Sequence, residues 1–246
     1  IIFNSHWSKN QFLMNLPFKY KKSEKLIVIH QSINKKKINL KKKKKLISFV
    51  GKLNSAKGYD IFGKTIIKIL NKYPDWSANV IGDEPREEFN FKHKKLNLLG
   101  FKKHKEVLLN FEKTSIAVVC SRWNEPFGRT SLEASSRGCG VIISNRGGLP
   151  ETITNGIILK DLSIKSLFKE IENLIKKPKY LKKLQIESLK NFTLNDHFIS
   201  KKIDVCRSKN LIPIVNLNKN TNLKNLKILH VTNFNERHNG RLFYNS

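Results

Sequence analysis

The sequence predicts an α/β protein built on a doubly wound, Rossmann-like parallel sheet. Three observations carry this. Short runs such as Leu46–Val50, Ile116–Cys120 and Gly140–Ser144 are apolar without alternation, as strands covered on both faces are. They alternate with helix-length segments of 3.6-residue periodicity, which is the order of βα units. Glycines and charged residues gather just after the strands, where open α/β sheets bind ligands.

The elements follow in order. Residues 1–3 are apolar and read as a strand end; Asn4-Ser5-His6-Trp7-Ser8 then opens a short helix through Met14, with Ser5 or Ser8 as N-cap. Leu26–His30 reads as a strand. His6 and His30 read as lone histidines rather than ligands. From Ser32 to Lys45 the composition changes: Lys35-Lys36-Lys37 and the run Lys41–Lys45 predict an exposed linker. Leu46–Val50 is a strand, 51–58 a loop, and Tyr59–Tyr73 an amphipathic helix facing inward with Ile61, Phe62, Ile66, Ile69 and Leu70, stopped by Pro74. Trp76–Ile81 is the next strand. Glu84, Arg86, Glu87 and Glu88 read as a solvated loop. Lys95–Leu99 is a short strand, Glu106–Phe111 a short helix and Ile116–Cys120 a buried strand. A helix over 130–137 ends at Gly138. Gly140–Ser144 and 156–159 are strands; 163–175, 178–189 and 195–208 are helices. Residues 211–225 read as a linker, and Leu226–Val231 as a new strand.

Composition narrows the function. The 48 Lys and Arg against 19 acids give a formal net charge of +29, which raises nucleic acid or an anionic membrane as partner. The lysines are spread along the chain, not interleaved with aromatics, so specific nucleic-acid binding is not expected. Three cysteines without metal spacing suit a reducing, cytoplasmic setting. No apolar run nears the ~20 residues of a membrane span, and no signal peptide is seen. The chain lacks an initiator Met and stops soon after a new element starts, which reads as a piece of a longer reading frame.

The chemistry concentrates in residues 121–134. Glu125 falls on the strand-to-helix loop, and Glu133 lies eight positions on, inside the helix. Phe127, Gly128 and Arg129 stand at the helix start, where free backbone N–H groups attract phosphate. Two acids beside an anion-binding helix terminus suit a sugar carrying a diphosphate. The E-x7-E pair with Pro126-Phe127-Gly128 inside it, the run Phe49-Val50-Gly51-Lys52-Leu53 followed by Lys57-Gly58, and Gly147-Gly148-Leu149-Pro150-Glu151 resemble the donor-domain motifs of retaining GT-B glycosyltransferases, the glycosyltransferase family 4 group, in that family's order.

The resemblance implies a division of the chain: 1–34 as the end of an N-terminal GT-B domain, 46–192 as the C-terminal nucleotide-sugar-binding domain, 193–209 as the crossover helix, and 226–246 as the start of a second N-terminal domain or of a nonstandard domain order. It implies transfer of a sugar from a nucleotide-diphosphate sugar to a glycan or lipid-linked acceptor, with no cofactor and no metal. Lys52 and Lys57 would hold the diphosphate with the amides near Phe127 and Gly128, and Gly51 would let the backbone approach the ligand; Glu125 would bind sugar hydroxyls and Glu133 the ribose, with Glu125 and Lys57 as the catalytic residues. Phe101, after Gly100, would stack on the base or lie in the core. Lys52 stands where the family usually has Arg, a point charge in place of a two-pronged fork. The implied location is cytoplasmic, with peripheral contact at the inner membrane face. A basic nucleic-acid-binding protein and an inactive donor-domain fragment are the alternatives. An epimerase is disfavoured, since no G-x-G-x-x-G follows the first strand.

Overall fold

The structure, a computed structural model, describes residues 1–14, 17 and 26–210. Chain contacts separate two compact units, Ile1–Cys206 and Arg207–Ser246. Of the second, only the end of the last helix is described. The expected linker at 211–225 and the expected new domain at 226–246 lie outside the described residues.

The first unit opens with β1 (Ile2–Phe3), α1 (His6–Met14) and β2 (Ile27–Val28), and the two short strands pair in parallel. The main sheet follows: β3 (Lys44–Val50), α2 (Tyr59–Lys72), β4 (Ser77–Ile81), β5 (Leu96–Leu98), α3 (His104–Lys113), β6 (Thr114–Val119), α4 (Arg129–Ser136), β7 (Gly140–Ser144), β8 (Ile157–Leu159), α5 (Ile164–Lys176), α6 (Pro178–Lys190) and α7 (Asp196–Asn210). Its six strands are all parallel, in the order β5-β4-β3-β6-β7-β8. The chain winds outward from β3, returns to β6 on its other side, and winds outward again. The strand order therefore reverses between β3 and β6, which leaves a crevice at their C-terminal ends.

Period-2 alternation builds the two apolar layers. Ile47, Ile116, Val118 and Ile142 point to one face with Ile66, Ile69 and Leu70 of α2 and Leu167 and Ile171 of α5. Ala117, Val141 and Ile143 point to the other with Val107 and Phe111 of α3 and Ala134 of α4. The five residues expected inward on α2 are all buried. Each such Ile or Leu contributes about 1.5–3 kcal/mol through removal from water.

Two expectations are corrected here. Helix α3 starts at His104, before Glu106, because the Glu106 carboxylate accepts from the Lys103 amide at 3.1 Å and so serves as the third-position acid of the first turn. The stretch 32–45 is not wholly an exposed linker. Ile33 is buried and bridges to Asn195, and β3 already begins at Lys44. Lys43 is tied in by its amine, which donates to the carbonyls of Phe111 (2.8 Å), Thr114 (2.7 Å) and Arg137 (2.8 Å). Those carbonyls lie at the ends of α3 and α4, so one cation serves two negative helix termini. Burial pulls the Lys43 amine below the usual lysine pKa. Lys43→Met should lower unfolding stability by about 2–4 kcal/mol, since it strips a charged donor from three carbonyls. Urea unfolding of the two proteins measures this.

Candidate active site

The loop after β3 is fixed from below. Asn54 accepts from the Lys57 amide at 2.9 Å, closing a 3-10 turn over Ser55–Lys57. Asn54 donates to Glu84 at 3.2 Å, and Ser55 donates to Glu87 from its amide (2.9 Å) and its hydroxyl (2.7 Å). The acidic loop is thus a support for this turn and not merely solvated. The Arg86 guanidinium beside Glu84 holds its carboxyl down to about 2.

The loop after β6 is locked onto the first. The Ala56 carbonyl accepts from the amides of Arg122 (2.9 Å) and Trp123 (3.1 Å) and from the Ser121 hydroxyl (3.2 Å). Gly58 has φ +74°, and a Cβ there would lie 1.9 Å from the Cys120 carbonyl oxygen, so only glycine permits the approach. The Arg122 guanidinium grips Asp60 with two bonds, at 2.5 and 2.6 Å, and holds the Asp60 carboxyl below the usual range. The Gly147-Gly148 turn closes the third side. The Gly148 amide donates to the Glu125 carbonyl at 2.7 Å, and a Cβ on Gly147 would lie 2.2 Å from that oxygen.

This frame brings Lys57 and Glu125 together: the amine of one forms an ion pair with the Oε1 of the other. They line a small cavity of about 60 Å³ with Gly51, Gly128, Arg129 and Thr130. Gly128, at φ +109°, caps the start of α4, whose first amides have no partner within the helix. A drug-sized ligand pocket measures about 300–1,000 Å³, so this cavity is too small to enclose such a ligand whole.

Lys52 is exposed and lies outside that lining. The Phe127 side chain is buried, stacked on His30 at 5.5 Å between ring centroids, so this residue can offer only backbone to a ligand. Phe101 is 74% exposed, which removes the core alternative. The Glu133 carboxylate is 7% exposed; Oε1 accepts from Arg129 Nε at 3.0 Å and from His104 Nε2 at 2.9 Å. Sequence reasoning misses both partners. Arg129 stands four residues before Glu133, one helical turn, and that spacing is the available signal.

The N-terminal residues hold more than their sequence suggests. Ser5 is the N-cap of α1, accepting from the Ser8 amide at 2.9 Å, and both serine hydroxyls donate to the Pro126 carbonyl (2.5 and 3.1 Å). Glu151 accepts from the amides of His6 (2.7 Å) and Trp7 (2.9 Å) and from His30 Nε2 (2.9 Å). Burial raises the Glu151 pKa, but these bonds outweigh it and leave the carboxyl below its usual value. His6 and His30 are therefore not lone.

A Lys–Glu pair and a helix start thus meet in the crevice at the strand-order reversal, the place where open α/β sheets bind ligands. The chain belongs to the glycosyl transferases group 1 family, which it matches over residues 30–190. It is 34% identical over 134 residues to spore coat protein SA of Bacillus subtilis (strain 168), covering 48% of this chain and 36% of that protein. It is 33% identical over 138 residues to one subunit of the Homo sapiens phosphatidylinositol N-acetylglucosaminyltransferase, covering 52% of this chain and 28% of that one. The matched part thus spans about a third of these relatives' length. Among solved structures it resembles Anabaena HepE in complex with UDP and glucose, with TM-score 0.69 and 18% identity over 84% of this chain and 62% of that one. The α/β architecture with its six-stranded parallel sheet matches that of GT-B glycosyltransferase structures.

The depressed Asp60 carboxyl makes a pH prediction. A group with a lowered folded pKa gives stability that is present above its unfolded pKa, about 3.9, and is lost as pH falls through the folded value. Asp60→Asn should therefore flatten the acid side of the stability profile below about pH 4. Urea midpoints across that range provide the comparison, and parallel curves would remove the Arg122–Asp60 pair from the account.

Proposed function

We propose that this chain is the donor-binding part of a retaining glycosyltransferase, of glycosyltransferase family 4, that moves a hexosyl group from a nucleotide-diphosphate sugar to a glycan or lipid-linked acceptor. The observation that carries this is the Lys57–Glu125 pair at the mouth of the crevice, facing the same cavity as the start of α4. The leaving diphosphate takes on negative charge as the glycosidic bond breaks. On this reading Lys57 and the α4 amides take up that charge, and the exposed Lys52 adds a second point charge. Stabilisation by fixed charges and dipoles lowers the barrier without an added metal. Glu125, oriented by its pairing with Lys57, accepts sugar hydroxyls. Glu133 uses Oε1 for Arg129 and His104 and keeps Oε2 for a ribose hydroxyl. Phe101 offers an exposed ring for the base.

Supporting observations come from the relatives. HepE is solved with UDP and glucose, which supports a nucleotide-sugar donor. The human relative carries phosphatidylinositol in its name, which supports a lipid-linked acceptor. The cationic composition supports peripheral contact with an anionic inner membrane face, and with it a cytoplasmic location. No helix among the described residues is long and apolar enough to cross a membrane.

Lys57→Ala should weaken nucleoside diphosphate binding by about tenfold to a hundredfold, the value of a charge-assisted contact, while nucleoside binding stays nearly unchanged. Calorimetric titration of both ligands, with and without magnesium, tests it. Equal loss of both ligands, or binding that depends on magnesium, would overturn the phosphate assignment. Glu125→Gln should spare nucleoside diphosphate binding and slow sugar transfer, and an unchanged transfer rate would remove Glu125 from the sugar site.

A further inference from the structure

We infer that His6, His30 and Glu151 form a binding site for one divalent transition metal, zinc by its chemistry, where α1 and β2 meet the loop after β7. The three residues come from distant parts of the chain, yet one ligand atom from each lies within 4.8 Å of the others. His30 Nε2 and Glu151 Oε2 are already 2.9 Å apart. Two ligand atoms around one tetrahedral zinc stand about 3.3 Å apart, given bonds of about 2.0–2.2 Å. The third ligand, the His6 ring, is exposed at the first position of α1 and so has room to turn toward the other two.

A hydrogen-bonded pair would need only His30 and Glu151. The third ring, with its centroid 5.7 Å from that of His30, is what a pair does not require and a metal does. The surroundings also orient the ligands. The His6 and Trp7 amides fix both oxygens of Glu151, and Phe127 fixes the His30 ring by stacking. Such outer contacts are what hold metal ligands in register. Two imidazoles and one carboxylate with a fourth position open to water suit zinc. Magnesium prefers oxygen ligands and keeps its own waters. The other described histidines do not form such a group: His104 is engaged by Glu133, and His93 accepts from the Lys95 amide. The metal would staple residues 6 and 30 to residue 151, and through Ser5 and Ser8 would secure the Pro126 carbonyl beside the crevice.

The test uses the full chain, stripped with chelator and titrated with zinc by calorimetry and with cobalt by absorption. One zinc per chain, a raised thermal midpoint, and tetrahedral cobalt bands without a thiolate charge-transfer band are expected. His6→Ala keeps the backbone amide that Glu151 accepts from and should not disturb folding. It should weaken zinc binding by at least about tenfold. His197→Ala, exposed elsewhere on the surface, should leave binding unchanged. Wild-type affinity in His6→Ala, an equal effect from magnesium, or a thiolate band would each overturn the proposal.

Discussion

Two loops leave neighbouring parallel strands, β3 and β6, and must pass within van der Waals contact before either can reach a ligand. Gly58 against the Cys120 carbonyl is the point of closest passage, and it admits no side chain. The rest of the site is arranged around that crossing. Ala56 presents its carbonyl to three donors of the second loop, and Arg122 reaches back to Asp60 at the start of α2. The crossing is what makes Lys57 and Glu125 neighbours, though 68 positions separate them in sequence. Neither residue is placed by its own loop alone.

The same logic extends outward. Glu125 is held through its carbonyl by the Gly148 amide, and Pro126 through its carbonyl by Ser5 and Ser8. Glu151 then holds the start of α1, which carries those serines. The site loop is clamped from two sides by backbone contacts that no ligand needs to touch. Substitutions at Glu151 or Ser5 would therefore act on the Glu125–Pro126 loop through geometry rather than through direct contact with a ligand.

Much of this was legible in the sequence, for identifiable reasons. Apolar runs without alternation marked the buried strands β3, β6 and β7, and 3.6-residue spacing marked α2, α5 and α6 almost to the residue. Glu125 and the glycines at 51 and 128 fall on the cavity lining, and glycines read as local signals because backbone approach dictates their positions. What was not legible depends on tertiary partners. Lys43 looks like its four lysine neighbours until three helix-end carbonyls surround it. Glu84 and Glu87 look like any acidic loop until Asn54 and Ser55 face them. His6 and His30 look isolated because Glu151, their common partner, lies more than a hundred positions away.

The ion pair also sets the charge of the crevice in advance. Lys57 alone beside the positive end of α4 would leave a partly buried cation unpaired, which is costly. Glu125 neutralises it and fixes its direction, while an ammonium group retains two further donors. On the proposed reading, an arriving diphosphate would meet two sets of donors, the remaining Lys57 protons and the α4 amides. The sugar hydroxyls would then meet a carboxylate whose position was set before binding. Under that proposal, charge neutralisation and hydroxyl recognition share a single ion pair, so the leaving group and the transferred sugar would be positioned relative to one another by one contact instead of two independent ones.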